Sequence, residues 1–138
     1  MECEAGKWDS DGAIGRLWSS FLGRAEEIHP AAKPAVMYGI CEHDTCEKDE
    51  FRYMAAIGAA DAAEVPPGMT VRIVKARSYF RACVPAAVSV PDAYTGAAAY
   101  AKSLGNEFEE DDFIEVYHEI FQDPEINSFQ LLFPVKEL

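Results

Sequence analysis

Between Asp11 and Ile28 apolar side chains return every three or four positions: Ile14, Leu17, Trp18, Phe21, Leu22, Ala25 and Ile28. Residues so spaced share one face of a helix, so the pattern predicts an amphipathic helix over "DGAIGRLWSSFLGRAEEI". Asp11 is placed to cap its start, and the two prolines of "HPAAKP" end it. A second helix is predicted over "SVPDAYTGAAAYAKSLG", residues 89–105, with Tyr94, Ala97, Ala98, Ala101 and Leu104 along one side. Pro91 and Asp92 suit its first turn and Gly105 its C-terminal cap. The alanine face would let this helix lie close against a sheet.

Elsewhere the period shortens to two, as expected of strands. "AVMYGIC" (35–41) and "FRYMAAIGA" (51–59) flank the acidic loop "EHDTCEKDE", and in the second Phe51, Tyr53, Ala55 and Ile57 share a face. The turn "VPPG" leads into "MTVRIVKARSYFRACVPA", predicted as one long strand with a turn or bulge near Lys75–Ser78. "FIEVYHEIF" (113–121) and "FQLLFPV" (129–135) close the chain; the last alternates Phe129, Leu131, Phe133 and Val135 on one side. The order helix, strand, strand, long strand, helix, strand, strand predicts an α+β fold with two helix-then-hairpin units, not the strict alternation of a doubly wound sheet.

Length and composition narrow the picture. A chain of 138 residues with 49% hydrophobic and 26% charged positions suits one globular domain. No apolar run approaches the roughly 18 residues of a membrane span, and the acidic start "MECEAGKWDSDG" is unlike a secretory leader, so a cytoplasmic protein is expected. With 24 Asp and Glu against 12 Lys and Arg the net charge is −12, which repels phosphate backbones and argues against direct nucleic-acid binding. The same field concentrates small cations.

Cys3, Cys41, Cys46 and Cys83 do not form a disulfide framework expected of such a protein. "CEHDTC" sets Cys41, His43 and Cys46 close together, but a structural zinc site needs a second ligand pair, so neither metal nor other cofactor is expected. Phosphate loops, dinucleotide fingerprints and nucleophile elbows are absent from the sequence. His118-Glu119 opens like a zinc-protease helix motif, yet Gln122 stands where the second histidine would be.

One segment stands out chemically. In "DDFIEVYHEIF" the strand period puts Phe113, Glu115 and Tyr117 on one face and Ile114, Val116 and His118 on the other. A carboxylate between two aromatic rings is either a solvent-facing residue with incidental neighbours or the charged member of an aromatic pocket.

"LWSSF" in the first helix, "MYGI" at 37–40, "FRYMAAIGA", "VPPGM" at 65–69, "VKARSYF" at 74–80, the Glu-x-Tyr of "FIEVY" and "FPVK" at 133–136 occur in an order and spacing that resembles the gyrase-inhibitor-like (GyrI-like) small-molecule-binding domains. These also serve as effector-binding modules of AraC- and MerR-type regulators. The resemblance, running from about Ile14 to Lys136, implies two pseudo-symmetric βαββ units with a ligand cleft between the halves. It implies that Glu115 is the pocket acid and that Trp18, Tyr38, Tyr53, Tyr79 and Tyr117 are candidate walls, to which the strand period adds Phe113. The family's first strand has no good counterpart in "ECEAGKW", so that strand is expected to be missing or replaced by a neighbouring chain. Residues 1–11 are then expected as a poorly ordered tail before a domain at 12–138. The glycine expected near Ala56, the Pro and Gly expected before Tyr79, and the Gly-Pro replaced by Val84-Pro85 are departures that bear on loop shape and cleft width, not on Glu115.

A carboxylate in such a cleft loses hydration, and a lipophilic cation restores what is lost through charge pairing and cation–π contacts of about 0.5–2 kcal/mol each. The expectation is therefore stand-alone sensing or sequestering of lipophilic, cationic aromatic small molecules, with a homodimer or a partner regulator open to it. Two alternatives come with the resemblance. One is a cofactor-independent hydrolase of cyclopropane-bearing genotoxic compounds, using Glu115 as acid or base and Tyr117 or Tyr79 to polarise the substrate. The other is a gyrase-interacting protein.

Overall fold

Among the described residues the strands and α-helices follow in the order β1 (Glu2–Gly6), α1 (Ala13–Leu22), β2 (Val36–Cys41), β3 (Glu50–Ile57), β4 (Tyr79–Val84), α2 (Val90–Ser103), β5 (Phe113–His118) and β6 (Phe129–Pro134). This computed structural model describes residues 2–6, 12–28, 36–42, 50–59, 65–85, 88, 90–109, 111–118 and 129–136. The strands make one antiparallel sheet in the order β1-β3-β2-β5-β6-β4. Two βαββ units are legible in that order. The first contributes β1-β3-β2, the second the mirrored β5-β6-β4, and the two meet at the central β2/β5 ladder. The fold is α+β, as the sequence pattern predicts.

The first strand is present, which corrects the expectation that it would be missing. Residues 2–6 are not a tail: Glu2 to Gly6 pair with Met54 to Glu50 of β3. The segment has little strand propensity of its own, but an edge strand takes its conformation from the hydrogen-bond ladder its neighbour offers, and propensity is a weak guide there.

The predicted long strand over 69–86 is the other correction. Of its described residues only Tyr79–Val84 enter the sheet, against β6. The physical reason lies in the topology. β3 stands second from one edge and β4 forms the opposite edge, so the connection must cross four strand spacings, roughly 19 Å, before it can pair. Side chains anchor it on the way. Arg72 pairs with Asp112 at 2.7 Å, Arg77 with Asp111, and Met69 is buried under α1. The alternation that suggests a strand there leaves Val71 and Ile73 in solvent.

Both helices are shorter than their patterns. α1 ends at Leu22, because Gly23 closes it and Ala25–Glu27 continue as a single 3-10 turn. Leu22 therefore falls outside the apolar face, half exposed. Its N-cap is Gly12 in a left-handed conformation (φ 69°), with no side-chain cap; Asp11 lies outside the described residues. α2 ends as expected, with Gly105 at φ 86° and its N–H donating to the carbonyl of Lys102.

Register fixes which face is which. Ala55, Gly39, Glu115, Leu131 and Ala82 form one row across five strands, so they point to the same side of the sheet. Both helices pack on that side. α1 lies over β1 and β3, closing a core of Leu17, Phe21, Tyr53, Ala55 and Met69. α2 lies over β4 and β6 on Val84, Ala93, Phe129, Leu131 and Phe133. The fully buried Ala101 and the flanking alanines let α2 approach closely. The central pair β2/β5 runs between the two helices.

Candidate functional site

Glu115 sits at the middle of that central pair and is 4% exposed. A carboxylate this deep must have its lone pairs occupied, and here three phenols do so. Tyr53 Oη donates to Oε1 at 2.9 Å, Tyr94 Oη donates to Oε2 at 2.8 Å, and the Tyr117 hydroxyl also donates to Oε1. The three donors come from three elements. Tyr53 is on β3, two strands away. Tyr94 hangs from the first turns of α2, and Tyr117 follows Glu115 by two residues on the same face of β5. Behind Tyr53, Trp18 Nε1 of α1 donates to its hydroxyl at 3.1 Å. The Trp18 ring also meets Tyr117 edge-on, centroids 5.7 Å apart.

Electrostatics at this point are one-sided. Among the described residues no cationic side chain pairs with Glu115. Burial raises its pKa above the ordinary glutamate value, and the hydrogen bonds from Tyr117, Tyr94 and Tyr53 offset part of that rise. The phenols respond in the opposite sense to usual acids near cations. Tyr53 and Tyr94 are pushed well above their normal range, first by burial and next by the charge on Glu115, and Tyr117 is raised by the same two causes. They therefore stay protonated and remain donors. The acid is thus held by neutral donors alone among the described residues.

The residues expected at the site divide into three groups. Glu115, Tyr117, Tyr53 and Trp18 come together as described. Phe113 is one step aside, in an aromatic raft where it meets Phe133 at 5.0 Å, Phe108 at 5.9 Å and Tyr94 at 6.4 Å. Tyr38 and Tyr79 are not brought to Glu115. Tyr38 pairs with Ala56 and Val116, which places it on the opposite face of the sheet from Gly39. The strand period rules it out, because "MYGI" offers Met37 and Gly39 to the helix side. Tyr79 lies at the start of edge strand β4, its hydroxyl reaching the Lys75 carbonyl at 3.4 Å. Of the zinc-like cluster, Cys41 is buried, while His43 and Cys46 lie outside the described residues.

Two members escape a reading of the chain by face alone. Tyr94 looks like one more apolar position of α2, yet a tyrosine among buried alanines has a hydroxyl that needs an acceptor, and Glu115 is that acceptor. Gly39 is the second. A glycine inside a strand signals a close approach, and here a Cβ at position 39 would lie 1.9 Å from Tyr53 Oη and 2.8 Å from Glu115 Oε1.

A two-unit βαββ sheet with a buried acid in the seam between its halves defines a small-molecule-binding domain of the GyrI-like kind. Residues 3–135 match the family described as Cass2, integron-associated effector binding protein, and the chain belongs to that family. Among known proteins it is 38% identical over 66 residues to the transcriptional regulator BrlR of Pseudomonas aeruginosa. That match takes in 48% of this chain and spans only 24% of the regulator. Among solved structures it resembles SAV2435 bound to tetraphenylphosphonium, with a TM-score of 0.68 and 16% identity over 99% of this chain and 86% of the other. At that identity the likeness is one of fold. Among the described residues no helix is long and apolar enough to cross a membrane.

Proposed function

We propose that this domain captures lipophilic aromatic cations over the central β2/β5 pair, with Glu115 as the counter-charge, and so senses or sequesters them. The observation that carries this reading is a carboxylate 4% exposed, hydrogen-bonded by three phenols and paired with no cation among the described residues. Burying such an anion is costly, and an arriving cation recovers the cost while the rings around it supply π faces. Three of roughly four lone-pair positions on the carboxylate are already filled. A guest with few hydrogen-bond donors of its own therefore loses least on entry, which favours delocalised or fully substituted cations. Trp18 meets the ring of Tyr117, one of the three donors, edge-on at 5.7 Å, so an indole face lies close to the acid's shell. The structural relative bound to tetraphenylphosphonium supports the choice of probe.

Titration calorimetry with tetraphenylphosphonium tests it. Wild-type protein is expected to bind, and Glu115→Gln to weaken binding by about 2–5 kcal/mol, the usual loss for one partner of a buried charge pair. Equal affinity in the two proteins would remove the counter-charge from the proposal.

A further inference from the structure

Tyr53 and Glu115 belong to different halves of the molecule, and strand β2 stands between them. Two strand spacings separate β3 from β5, roughly 9.5 Å, yet Tyr53 Oη and Glu115 Oε1 are 2.9 Å apart. The contact exists because the tyrosine lies diagonally across β2 above Gly39. Tyr53 is paired in register with Cys41, two residues along β2 from Gly39, so its ring leans down the sheet and crosses at the one position without a side chain. The room taken is the room a side chain would need. A Cβ on residue 39 would come within 1.9 Å of Tyr53 Oη, 2.8 Å of its Cζ and 2.8 Å of Glu115 Oε1.

We infer that Gly39 is a positioning residue, its bare backbone being the gap through which the first half of the domain delivers the Tyr53 hydroxyl to the acid of the second half. The consequence reaches helix α1. Trp18 Nε1 donates to Tyr53 Oη, and Tyr53 donates onward to Glu115, giving one directed chain of hydrogen bonds from the helix to the carboxylate. Every link but the glycine is a polar group; the glycine supplies only the opening. Tyr94 and Tyr117, the other two donors, reach Glu115 from within its own half. Gly39 thus governs the one hydrogen bond to the carboxylate, among the described residues, that crosses the seam. This deepens the proposed function, because it names what positions one of the three donors to the acid on which cation capture rests.

The test is a mutant cycle read on the ligand-free protein, so that it stands apart from whether any cation binds. The carboxyl carbon of Glu115 is titrated by carbon-13 NMR in wild type, Gly39→Ala, Tyr53→Phe and the double variant. Loss of one hydrogen bond to a charged acceptor should raise the Glu115 midpoint by about one pH unit or more in Tyr53→Phe. Gly39→Ala should raise it in the same direction and by a similar amount. The double variant should show no further rise, since both changes sever the same bond. Additive rises, or an unchanged midpoint in Gly39→Ala, would overturn the inference. Stability gives a second readout should Gly39→Ala alone fail to fold. The alanine should be markedly better tolerated in the Tyr53→Phe background, where the closest clashing atom is gone. If it is tolerated no better there, the space over residue 39 does not serve Tyr53 and the inference falls. Tetraphenylphosphonium binding across pH then distinguishes the two levels. Midpoints that move as described in a protein that binds no cation would leave the positioning role standing and reject the proposed function.

Discussion

The two halves of this domain share a frame and differ in what they place over it. In the first half α1 seals a core in which two members, Trp18 and Tyr53, turn their polar atoms toward the seam. In the second half α2 rests on a denser aromatic raft, where Phe133 stacks on Phe108 at 5.3 Å and meets Phe113 edge-on. The charge belongs to the second half alone. Across the ladder from Glu115 the first half sets Gly39, which carries no side chain. One unit supplies an acid and two of its donors, and the other supplies an opening and one donor passed through it. A duplicated scaffold has become a site by making its halves unlike at the middle of the ladder that joins them.

The largest effects should come from the two cores. Phe21 and Phe133 are each 1% exposed, and replacing either by alanine should cost about 3–5 kcal/mol in urea denaturation. The comparison sharpens in the site. Phe133 meets the ring of Tyr94, which donates directly to the acid, and that of Phe113, while Phe21 meets Trp18 edge-on at 6.0 Å and shares the α1 core with Tyr53. Phe133→Ala should therefore disturb the Glu115 carboxyl signal more than Phe21→Ala, and a reversed order would place the second half's raft outside the site.

Next come the phenols. Hydrogen bonds to a charged acceptor contribute about 1.5–3 kcal/mol. Among the described residues Oε1 receives two hydroxyls and Oε2 that of Tyr94. Tyr94→Phe should thus raise the Glu115 midpoint more than Tyr53→Phe, whereas Tyr53→Phe alone should leave Trp18 Nε1 without its acceptor and alter the α1 side. Equal shifts in every respect would erase the asymmetry between halves.

The pH dependence has a definite sign. The folded-state pKa of Glu115 is raised by burial, so folding favours its protonated form. Its contribution to stability is fully present below about 4.3, the ordinary glutamate value, and is lost as pH rises through the folded value. Urea denaturation of wild type and Glu115→Gln across that window should show the mutant gaining relative stability as pH climbs. Cation affinity should run oppositely, growing as the acid ionises. A constant difference between the two proteins would mean that Glu115 titrates as if in water. The smallest effect is expected at the surface: Arg24→Ala removes an exposed ion pair with Glu27 and a bond to the Pro67 carbonyl, and the urea midpoint should scarcely move.

Much of the frame was legible in the chain because burial imposes a period. Tyr53, Ala55 and Ile57 face α1, and Phe129, Leu131 and Phe133 face α2, as alternation predicts. Glu115 flanked by Phe113 and Tyr117 could be singled out for the same reason. What escaped depends on partners distant in sequence. "ECEAG" becomes a strand because β3 offers it a ladder, and "MTVRIVKARS" does not because the topology sends it across the sheet. Residue type alone favours Tyr38, although its parity places it behind the sheet, whereas Tyr94 reads as ordinary core and Gly39 offers no side chain to read.

The bond between Trp18 and Tyr53 has a practical corollary. The chain holds two tryptophans, Trp8 and Trp18. With Trp8 replaced by phenylalanine, the remaining indole would be a native fluorophore wired to the central acid, its emission responding to whatever alters that contact. The molecule carries its own optical gauge.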